Sequence, residues 1–252
     1  MHRSIDSFES SRNRQNEYVE TALIARNAAR AKKLRAGVRV GHRIYQPEAF
    51  GPQDLPEAEY VLLLVKGYDT PAALRTARRM RPKRILSLQN GLIEGVEQGV
   101  TTAAAHREGV QVVPVATGET LLPPGFGPLA GWLRCAGFAA RVSRSIDAAR
   151  YRKLLANVCI NPVTAIFGVR NGEVRKPPYA MFAQALAREA VPVISAQGVR
   201  ISPTRAIRHV MEVARRTAAN RSSMLQDRLA GRRTELEQLN GALLRLAQRH
   251  GI

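Results

Sequence analysis

The sequence predicts an α/β fold in two parts, with an α/β half that gives way to an all-α half near residue 146. Three observations lead to this prediction. The continuous apolar segment YVLLLVK at 60–66 is typical of a strand buried in a parallel sheet. A helical pattern and a second strand follow it at short spacing. From residue 147 onward the apolar residues recur with helical periodicity.

Strand and helix signals alternate through the first half. The predicted elements are a strand over 18–26, a helix over 27–37 that stops at Gly37, a strand over 60–66, a helix over 70–80 and a strand over 84–89. A strand, a helix and a strand at this spacing indicate a βαβ unit with a right-handed crossover. Segments 110–116 and 139–142 are two further candidate strands.

The second half contains four helical patterns. We predict helices over 150–167, with a bend at Pro162, over 179–197, closed by Gly198, over 203–229, and from Thr234 onward. Gly231 breaks the chain before the fourth helix, and Glu237 follows Thr234 at the spacing of a capping box.

Composition excludes several classes of protein. The 252 residues suffice for one large domain or two ordinary ones. There is no run of 18 apolar residues, and the charged N-terminus lacks the apolar core of a secretory signal. Cys135 and Cys159 lie far apart without metal-ligand spacing. We therefore expect a cytoplasmic protein without a membrane span, a disulfide or a metal site.

The formal net charge of +19 raises the question of nucleic-acid binding. The basic residues are mostly arginines, and they are spread along the whole chain. Nucleic-acid binders usually concentrate charge on one face and carry a recognisable motif. We expect general attraction of phosphates and carboxylates but no specific nucleic-acid partner.

The segment KLLANVCINPVT at 153–164 carries the most distinctive pattern. As a helix it is apolar around nearly its whole circumference, which predicts burial. Lys153, Asn157, Asn161 and Thr164 fall in one narrow stripe. Because buried polar groups need partners, the stripe indicates an internal polar network or a ligand pocket. The alternative is a solvated stripe on an ordinary amphipathic helix, and we favour the pocket.

Four segments together resemble the ketopantoate reductase family (2-dehydropantoate 2-reductase). They are LLLVKGYDT at 62–70, LQNGL at 88–92, YRKLLANVCINPVTAIFGVRNGE at 151–173 and NRSSMLQDRLAGRRTELEQLNG at 220–241. They occur in the order that the family has, and the resemblance covers about residues 19–252.

The resemblance implies a fold, a reaction and a set of partners. A Rossmann-type NADP-binding domain, here residues 1–146, would precede a helical catalytic domain, here 147–252, that is similar to the C-terminal domain of 6-phosphogluconate dehydrogenase, with the active site in the cleft between them. The family reduces a branched 2-oxo acid, ketopantoate, to pantoate with NADPH, a step in pantothenate and coenzyme A biosynthesis. The chain would act as a monomer or a homodimer.

The resemblance also assigns roles to residues. Lys153 and Glu235 match the catalytic positions, Lys66 and Asn90 match positions on the nicotinamide side of the cofactor, and Asn157, Asn161, Asn171 and Ser223 match substrate-binding positions. The residue types suit the chemistry, because an ammonium can stabilise negative charge on a carbonyl oxygen and donate a proton to it. Arg26 closes a strand at about the place where a guanidinium would bind the 2′-phosphate of NADP.

Each of these residues also has a simpler interpretation. A carboxylate at Glu235 would be favourable in the first turn of a helix through the helix dipole alone. Asn90–Gly91 is a common turn sequence, and Lys66 and Arg26 could be solvated strand ends. Ser222, Ser223 and Asp227 could form one polar helix face. Against this, Lys66 and Asn90 both follow strands, where open α/β sheets bind ligands.

The sequence departs from the family in its cofactor half. No glycine precedes Gly37, so the expected strand and G-x-G-x-x-G turn are absent and residues 1–17 are atypical. The stretch from 90 to 102 is shorter than expected, and relatives continue beyond Ile252. We expect weakened NADPH affinity. The alternatives are a degenerate member that binds a 2-oxo acid or dimerises without turnover, and a reductase of another branched 2-oxo acid.

Overall fold

The computed structural model describes residues 19–252, apart from the side chains of residues 107 and 108. Predictions about residues 1–17, including the missing glycine turn, and about Tyr18 lie outside the described residues. The chain divides into two compact units. The first comprises the chain up to Leu64 together with Thr70–Leu88 and Val96–Ile146, and the second comprises Val65–Asp69, Gln89–Gly95 and Asp147–Ile252.

The first unit contains all twelve described strands and three α-helices. Along the chain these are β1 Ala22–Ile24, α1 Ala28–Ala36, β2 Val38–Val40, β3 Arg43–Tyr45, β4 Glu48–Phe50, β5 Tyr60–Leu63, α2 Thr70–Arg79, β6 Arg84–Ser87, β7 Glu97–Gln98, β8 Val100–Thr101, β9 Ala104–Glu108, β10 Gln111–Ala116, β11 Glu119–Leu122, α3 Gly127–Cys135 and β12 Ala139–Val142.

These strands form four short sheets within the described residues. Strand β5 pairs in parallel with β6, and β6 with β7, which confirms the predicted strand–helix–strand unit around α2. Strands β1 and β4 form a parallel pair, and β11 lies between β12 and β8. The remaining sheet has the order β3-β2-β10-β9. Seven of the strands were not predicted from the sequence, and all of them are two to five residues long, which is too short for a clear alternating pattern. They are β2, β3, β4, β7, β8, β9 and β11.

Local sequence signals define both ends of the first helix, α1. The Asn27 side chain accepts a hydrogen bond from the Arg30 amide at 2.8 Å, as expected for an N-cap. Gly37 ends the helix with φ +143°, a backbone conformation that favours glycine. A separate apolar core forms where Leu86, Leu122 and Phe126 are fully buried.

The second unit is helical. Its helices are α4 Ile146–Phe167, α5 Tyr179–Ala196, α6 Pro203–Arg216, α7 Ser223–Leu229 and α8 Leu236–Arg249, with short 3-10 helices at Gly67–Asp69 and Asn171–Arg175. Helix α4 runs through Pro162, and its residues from Leu154 to Ala165 are buried except for Asn157. The predicted buried helix is therefore confirmed. No helix among the described residues has the length and apolar character to cross a bilayer.

Two predicted features of the helical part are wrong. The segment 203–229 is two helices, because the linker between them pairs with a distant segment. The Asn171 and Gly172 amides donate to the carbonyl oxygens of Asn220 and Ala218, at 3.0 and 3.2 Å. The capping box of Thr234 and Glu237 does not form either, since α8 begins at Leu236 with no side-chain cap.

Candidate active site

Lys66, in the segment after β5, connects that segment to α7 and to the start of α8. Its ammonium donates to Asp227 Oδ2 at 2.7 Å and to Glu235 Oε2 at 3.2 Å. Both carboxylates are almost fully buried, whereas the lysine side chain is about one-third exposed. Burial alone would lower the pKa of Lys66, but the hydrogen bond to Asp227 and the charges of both carboxylates raise it overall.

The second oxygen of each carboxylate also has a donor. The Gly67 amide donates to Glu235 Oε1 at 2.9 Å. The Arg232 guanidinium donates through Nε to Asp227 Oδ1 at 2.9 Å. Two buried charges are therefore satisfied by cationic or backbone donors on all four oxygens, as buried carboxylates require.

Lys153 lies in the buried helix α4 and interacts electrostatically with Glu235. Burial lowers the pKa of Lys153 to about 8, although the negative charge of Glu235 raises it in part. Glu235 therefore interacts with two lysines: it accepts a hydrogen bond from Lys66, and its charge interacts with that of Lys153. The residues Lys66, Lys153, Asp227 and Glu235 are called the lysine–carboxylate cluster below.

The other three residues of the α4 stripe are at least half-buried, and the Thr164 side chain connects α4 to the cap of α7. Asn161 and Thr164 are buried, and Asn157 is half-buried. Thr164 Oγ1 donates to the Asn161 carbonyl at 2.9 Å and shares a 2.6 Å hydrogen bond with Ser222 Oγ. Thr164 is thus engaged in holding α7 against α4, which is a structural role.

Asn171 and Ser223 occupy different environments. Asn171 is buried, and its Nδ2 donates to Thr217 Oγ1 at 2.9 Å at the end of α6. Its Oδ1 is buried with no hydrogen-bond partner in the described part of the chain. Ser223 is exposed, while its neighbour Ser222 is buried and caps α7. Within the described residues, neither the Asn171 nor the Ser223 side chain shares a hydrogen bond with the lysine–carboxylate cluster.

Asn90 lies in a segment that packs on the first turn of α8. Gln89 Nε2 donates to the Val65 carbonyl at 2.7 Å. This hydrogen bond connects segments 65–69 and 89–95, which both belong to the second unit. Gly91 has φ +84°, and a Cβ there would collide with the Gln238 carbonyl. A Cβ on Gly67 would meet the Gln238 side chain, whose Oε1 is buried without a partner among the described residues.

The structure adds residues that the sequence analysis did not assign. Asp227 was grouped with Ser222 and Ser223 as one polar face, but Ser222 and Asp227 are buried and Ser223 is exposed. Gln238 and Gly67 carried no signal at all, because their importance depends on contacts between distant segments. Arg26 follows β1 in the first unit, where it is exposed.

Comparison with known sequences decides the family. A family model described as "Ketopantoate reductase PanE/ApbA" matches residues 14–124, and one described as "Ketopantoate reductase PanE/ApbA C terminal" matches residues 145–252. A 2-dehydropantoate 2-reductase of Archaeoglobus fulgidus is 33% identical over 246 residues, which is 89% of this chain and 83% of the relative. The chain belongs to the ketopantoate reductase family.

Other ketopantoate reductases agree with this assignment. The 2-dehydropantoate 2-reductase of Shigella flexneri is 34% identical, with 80% of this chain and 71% of the relative covered. A solved ketopantoate reductase from Ralstonia eutropha is 26% identical with a TM-score of 0.76, over 92% of this chain and 85% of that one. D-mandelate dehydrogenase solved with NADH shares the fold at 21% identity and a TM-score of 0.82, covering 92% of this chain and 85% of that one.

The family's fold accounts for the observed architecture. Its N-terminal Rossmann-like domain and C-terminal helical domain correspond to the mixed α/β segments and the helices described above. The predicted boundary after residue 146 and the roles given to the two domains stay predictions. The second unit also takes in residues 65–69 and 89–95, which the sequence analysis assigned to the first domain.

Proposed function

We propose that the protein reduces the keto group of 2-dehydropantoate to the hydroxyl of pantoate, as the names of its relatives describe. The observation that carries this proposal is the partly desolvated ammonium of Lys153 beside the buried carboxylate of Glu235. Reduction of a ketone by hydride is assisted by a cationic proton donor at the carbonyl oxygen, and a fixed carboxylate beside that donor can orient it.

In this mechanism Lys153 acts on the carbonyl oxygen. Hydride addition to the keto carbon leaves negative charge on that oxygen, and the Lys153 ammonium stabilises the charge and donates the proton. Because burial lowers the pKa of Lys153 to about 8, the group is mostly protonated at neutral pH yet gives up its proton readily.

Glu235 orients Lys153 and is itself held in place. Its two oxygens accept from the Lys66 ammonium and the Gly67 amide, so the carboxylate has little freedom to turn away. Asp227 holds Lys66 from the other side. Asn157, Asn161, Asn171 and Ser223 are proposed to bind the substrate's carboxylate and hydroxyl groups, for which neutral amides and hydroxyls are suitable donors.

A nicotinamide cofactor fits the residues around Gly67 and Gly91. The half-buried Asn90 side chain has both a donor and an acceptor, which suit a carboxamide. When bound, the cofactor supplies the hydride. Lys66 and Asn90 would hold its nicotinamide side, and Arg26 would favour NADPH over NADH through the 2′-phosphate. A cytoplasmic location and the absence of a specific nucleic-acid partner stay predictions.

Replacing Lys153 tests the proposal. We expect Lys153→Ala to lower kcat for 2-dehydropantoate by about 10² or more, because the proton donor is lost. Lys176→Ala is the matched control, since Lys176 is exposed and pairs only locally with Glu173. The loss of NADPH absorbance in the presence of the 2-oxo acid measures turnover, and circular dichroism checks folding.

Two results would contradict the proposed reductase function. One is the absence of turnover by the full chain with 2-dehydropantoate and with a panel of other branched 2-oxo acids, while calorimetry still detects acid binding. That result would favour the non-catalytic binding protein. The other is turnover that Lys153→Ala leaves unchanged.

A further inference from the structure

The proline inside helix α4 leaves one carbonyl group without its usual donor. In an α-helix each carbonyl oxygen accepts a hydrogen bond from the amide four residues later. For the Val158 carbonyl that position is Pro162, whose nitrogen carries no hydrogen. Val158 and Pro162 are both buried, so water is poorly placed to act as the donor. The Val158 carbonyl therefore needs a donor from outside α4 to avoid the cost of an unpaired buried group.

A side chain of α8 supplies this donor. Asn240 Nδ2 donates to the Val158 carbonyl oxygen at 3.0 Å. Asn240 Oδ1 is buried and has no hydrogen-bond partner within the described residues. The NH2 group is the only part of the amide that can donate to a carbonyl. The bond to Val158 is thus the contact by which the Asn240 amide joins α8 to α4.

This bond joins the two helices that carry the proposed proton donor and its carboxylate. Val158 follows Lys153 by five residues on α4, and Asn240 follows Glu235 by five residues at the start of α8. At about 1.5 Å per residue, the bond lies about 7.5 Å along each helix from the Lys153–Glu235 pair. Because the two spacings are equal, one alignment of α8 along α4 satisfies both interactions.

Apolar packing alone defines that alignment less sharply. Leu239 and Leu246 of α8 lie in the same core cluster as Val158 of α4. The hydrophobic effect depends on buried area and has no direction, so it tolerates a small displacement of one helix along another. A hydrogen bond weakens steeply as its distance and angle depart from the optimum. The Asn240 bond is therefore suited to fix the position of α8 along α4.

The hydrogen bonds of Glu235 itself have a different effect. Its oxygens accept from the Lys66 ammonium and the Gly67 amide, which both lie in segment 65–69. Those bonds hold the carboxylate relative to that segment, whereas Lys153 belongs to α4. A direct bond between α8 and α4 is what relates the two charged groups to each other.

We propose that Asn240 is a positioning residue, which through its bond to the Val158 carbonyl at Pro162 holds Glu235 beside Lys153. The expected effect on turnover rests on the proposed reductase function. The effect on the Lys153–Glu235 pair does not, and it can be measured in the absence of turnover.

Replacing the amide tests the inference. Asn240→Leu keeps the approximate size of the side chain and removes its donor. Glu235 should then lie farther from Lys153, and the pKa of Lys153 should fall from about 8 to about 7.5 or lower, because the charge of Glu235 raises it. Titration of the lysine side chains by NMR measures this, with Lys153→Arg to assign the signal. The substitution leaves the other charged groups around Glu235 unchanged, and these are Lys66, Asp227 and Arg232.

The same variant should lose turnover. We expect kcat for the 2-oxo acid to fall by about tenfold or more, because the proton donor is misplaced. KM should stay within about threefold, because the loss is confined to the transition state. Gln248→Leu removes an exposed amide from the same helix, and as the matched control it should change neither kcat nor the pKa of Lys153.

A second substitution separates positioning from simple stabilisation. Pro162→Ala provides an amide that can donate to the Val158 carbonyl. Asn240→Leu alone should lower the thermal midpoint by about 4 °C or more, because it leaves that carbonyl unpaired. In the double variant P162A/N240L the midpoint should return to within about 2 °C of that of Pro162→Ala. The kcat and the pKa of Lys153 should nevertheless stay as low as in Asn240→Leu, because α8 still lacks its bond to α4.

Two outcomes would overturn the proposal. One is an Asn240→Leu chain that keeps the kcat and the Lys153 pKa of the unmodified chain, even if it melts earlier. The other is a double variant in which both quantities recover together with the thermal midpoint. If the unmodified chain reduces none of the 2-oxo acids, the reductase function fails, and the pKa of Lys153 in these variants still decides whether Asn240 positions Glu235.

Discussion

At the residue scale, the properties of the proposed site come from where charges are buried. Lys66 and Lys153 are both lysines near the same carboxylate, yet their pKa values move in opposite directions. Lys66 remains partly exposed and bonds directly to Asp227 and Glu235. Lys153 lies on the buried helix α4, and desolvation there prevails over its attraction to Glu235. One lysine is thereby suited to fix the carboxylate, and the other to transfer a proton.

The shifted lysine predicts a pH dependence. A general acid must be protonated, so kcat/KM for the 2-oxo acid should be level below the pKa of Lys153 and fall as pH rises through about 8. Initial rates between about pH 6 and pH 10 would measure this. Lys153→Arg provides the comparison, because a guanidinium does not titrate in this range and its residual activity should lack that fall. A wild-type rate that stays level to pH 10 would contradict the assignment.

At the element scale, α8 and α7 are held by contacts that lie outside their own helices. The first turn of α8 lies against Gly67 and Gly91, and α7 is capped by Ser222, which also bonds to Thr164 of α4. The Glu235 carboxylate, at the start of α8, is engaged by Lys66 and Gly67.

The close approach of Gly91 to α8 predicts that two glycine-to-alanine variants differ in their free energy of unfolding. Gly91→Ala should lower the free energy of unfolding by about 3 kcal/mol, because it combines a positive φ with a collision at the Gln238 carbonyl. Gly95→Ala has a similar φ of +74° but open space around it, and should cost about 1 kcal/mol. Urea unfolding of the two variants measures the difference. Equal losses would mean that the packing on α8 contributes nothing.

Alanine substitutions at two neighbouring serines should distinguish an effect on stability from an effect on substrate binding. Ser222→Ala removes the cap of α7 and the buried bond to Thr164, so we expect about 2 kcal/mol of destabilisation. Ser223→Ala removes an exposed hydroxyl and should change stability by less than about 0.5 kcal/mol. If Ser223 binds substrate, its variant should raise KM instead. Thermal melts and steady-state kinetics on both variants distinguish these outcomes.

At the scale of the whole molecule, the net charge determines which class of ligand the chain attracts. The net charge of +19 and a sequence pI near 11.2 favour anions in general. The lysine–carboxylate cluster itself is balanced, since its two carboxylates face Lys66 and Lys153, and Arg232 adds one positive charge beside Asp227. The excess positive charge therefore lies mainly on other parts of the chain.

The overall charge predicts weak and non-specific contact with nucleic acid. Retention on duplex DNA should disappear by about 0.2 M salt and should not depend on base sequence, because only phosphates would be contacted. Fluorescence anisotropy with two unrelated duplexes across a salt series measures this. Tight binding of one duplex at the higher salt would revive a specific nucleic-acid function.

The fold class, the buried helix α4 and the family could be predicted from the sequence, because these depend on patterns local to a segment. Apolar periodicity and caps such as Asn27 and Gly37 act within a few residues. The folded chain was needed to show that Asp227 and Gln238 lie beside Lys66 and Gly67, and that segment 203–229 is two helices. Those outcomes depend on hydrogen bonds and packing between residues about 45 to 170 positions apart, where each partner alone carries no local signal.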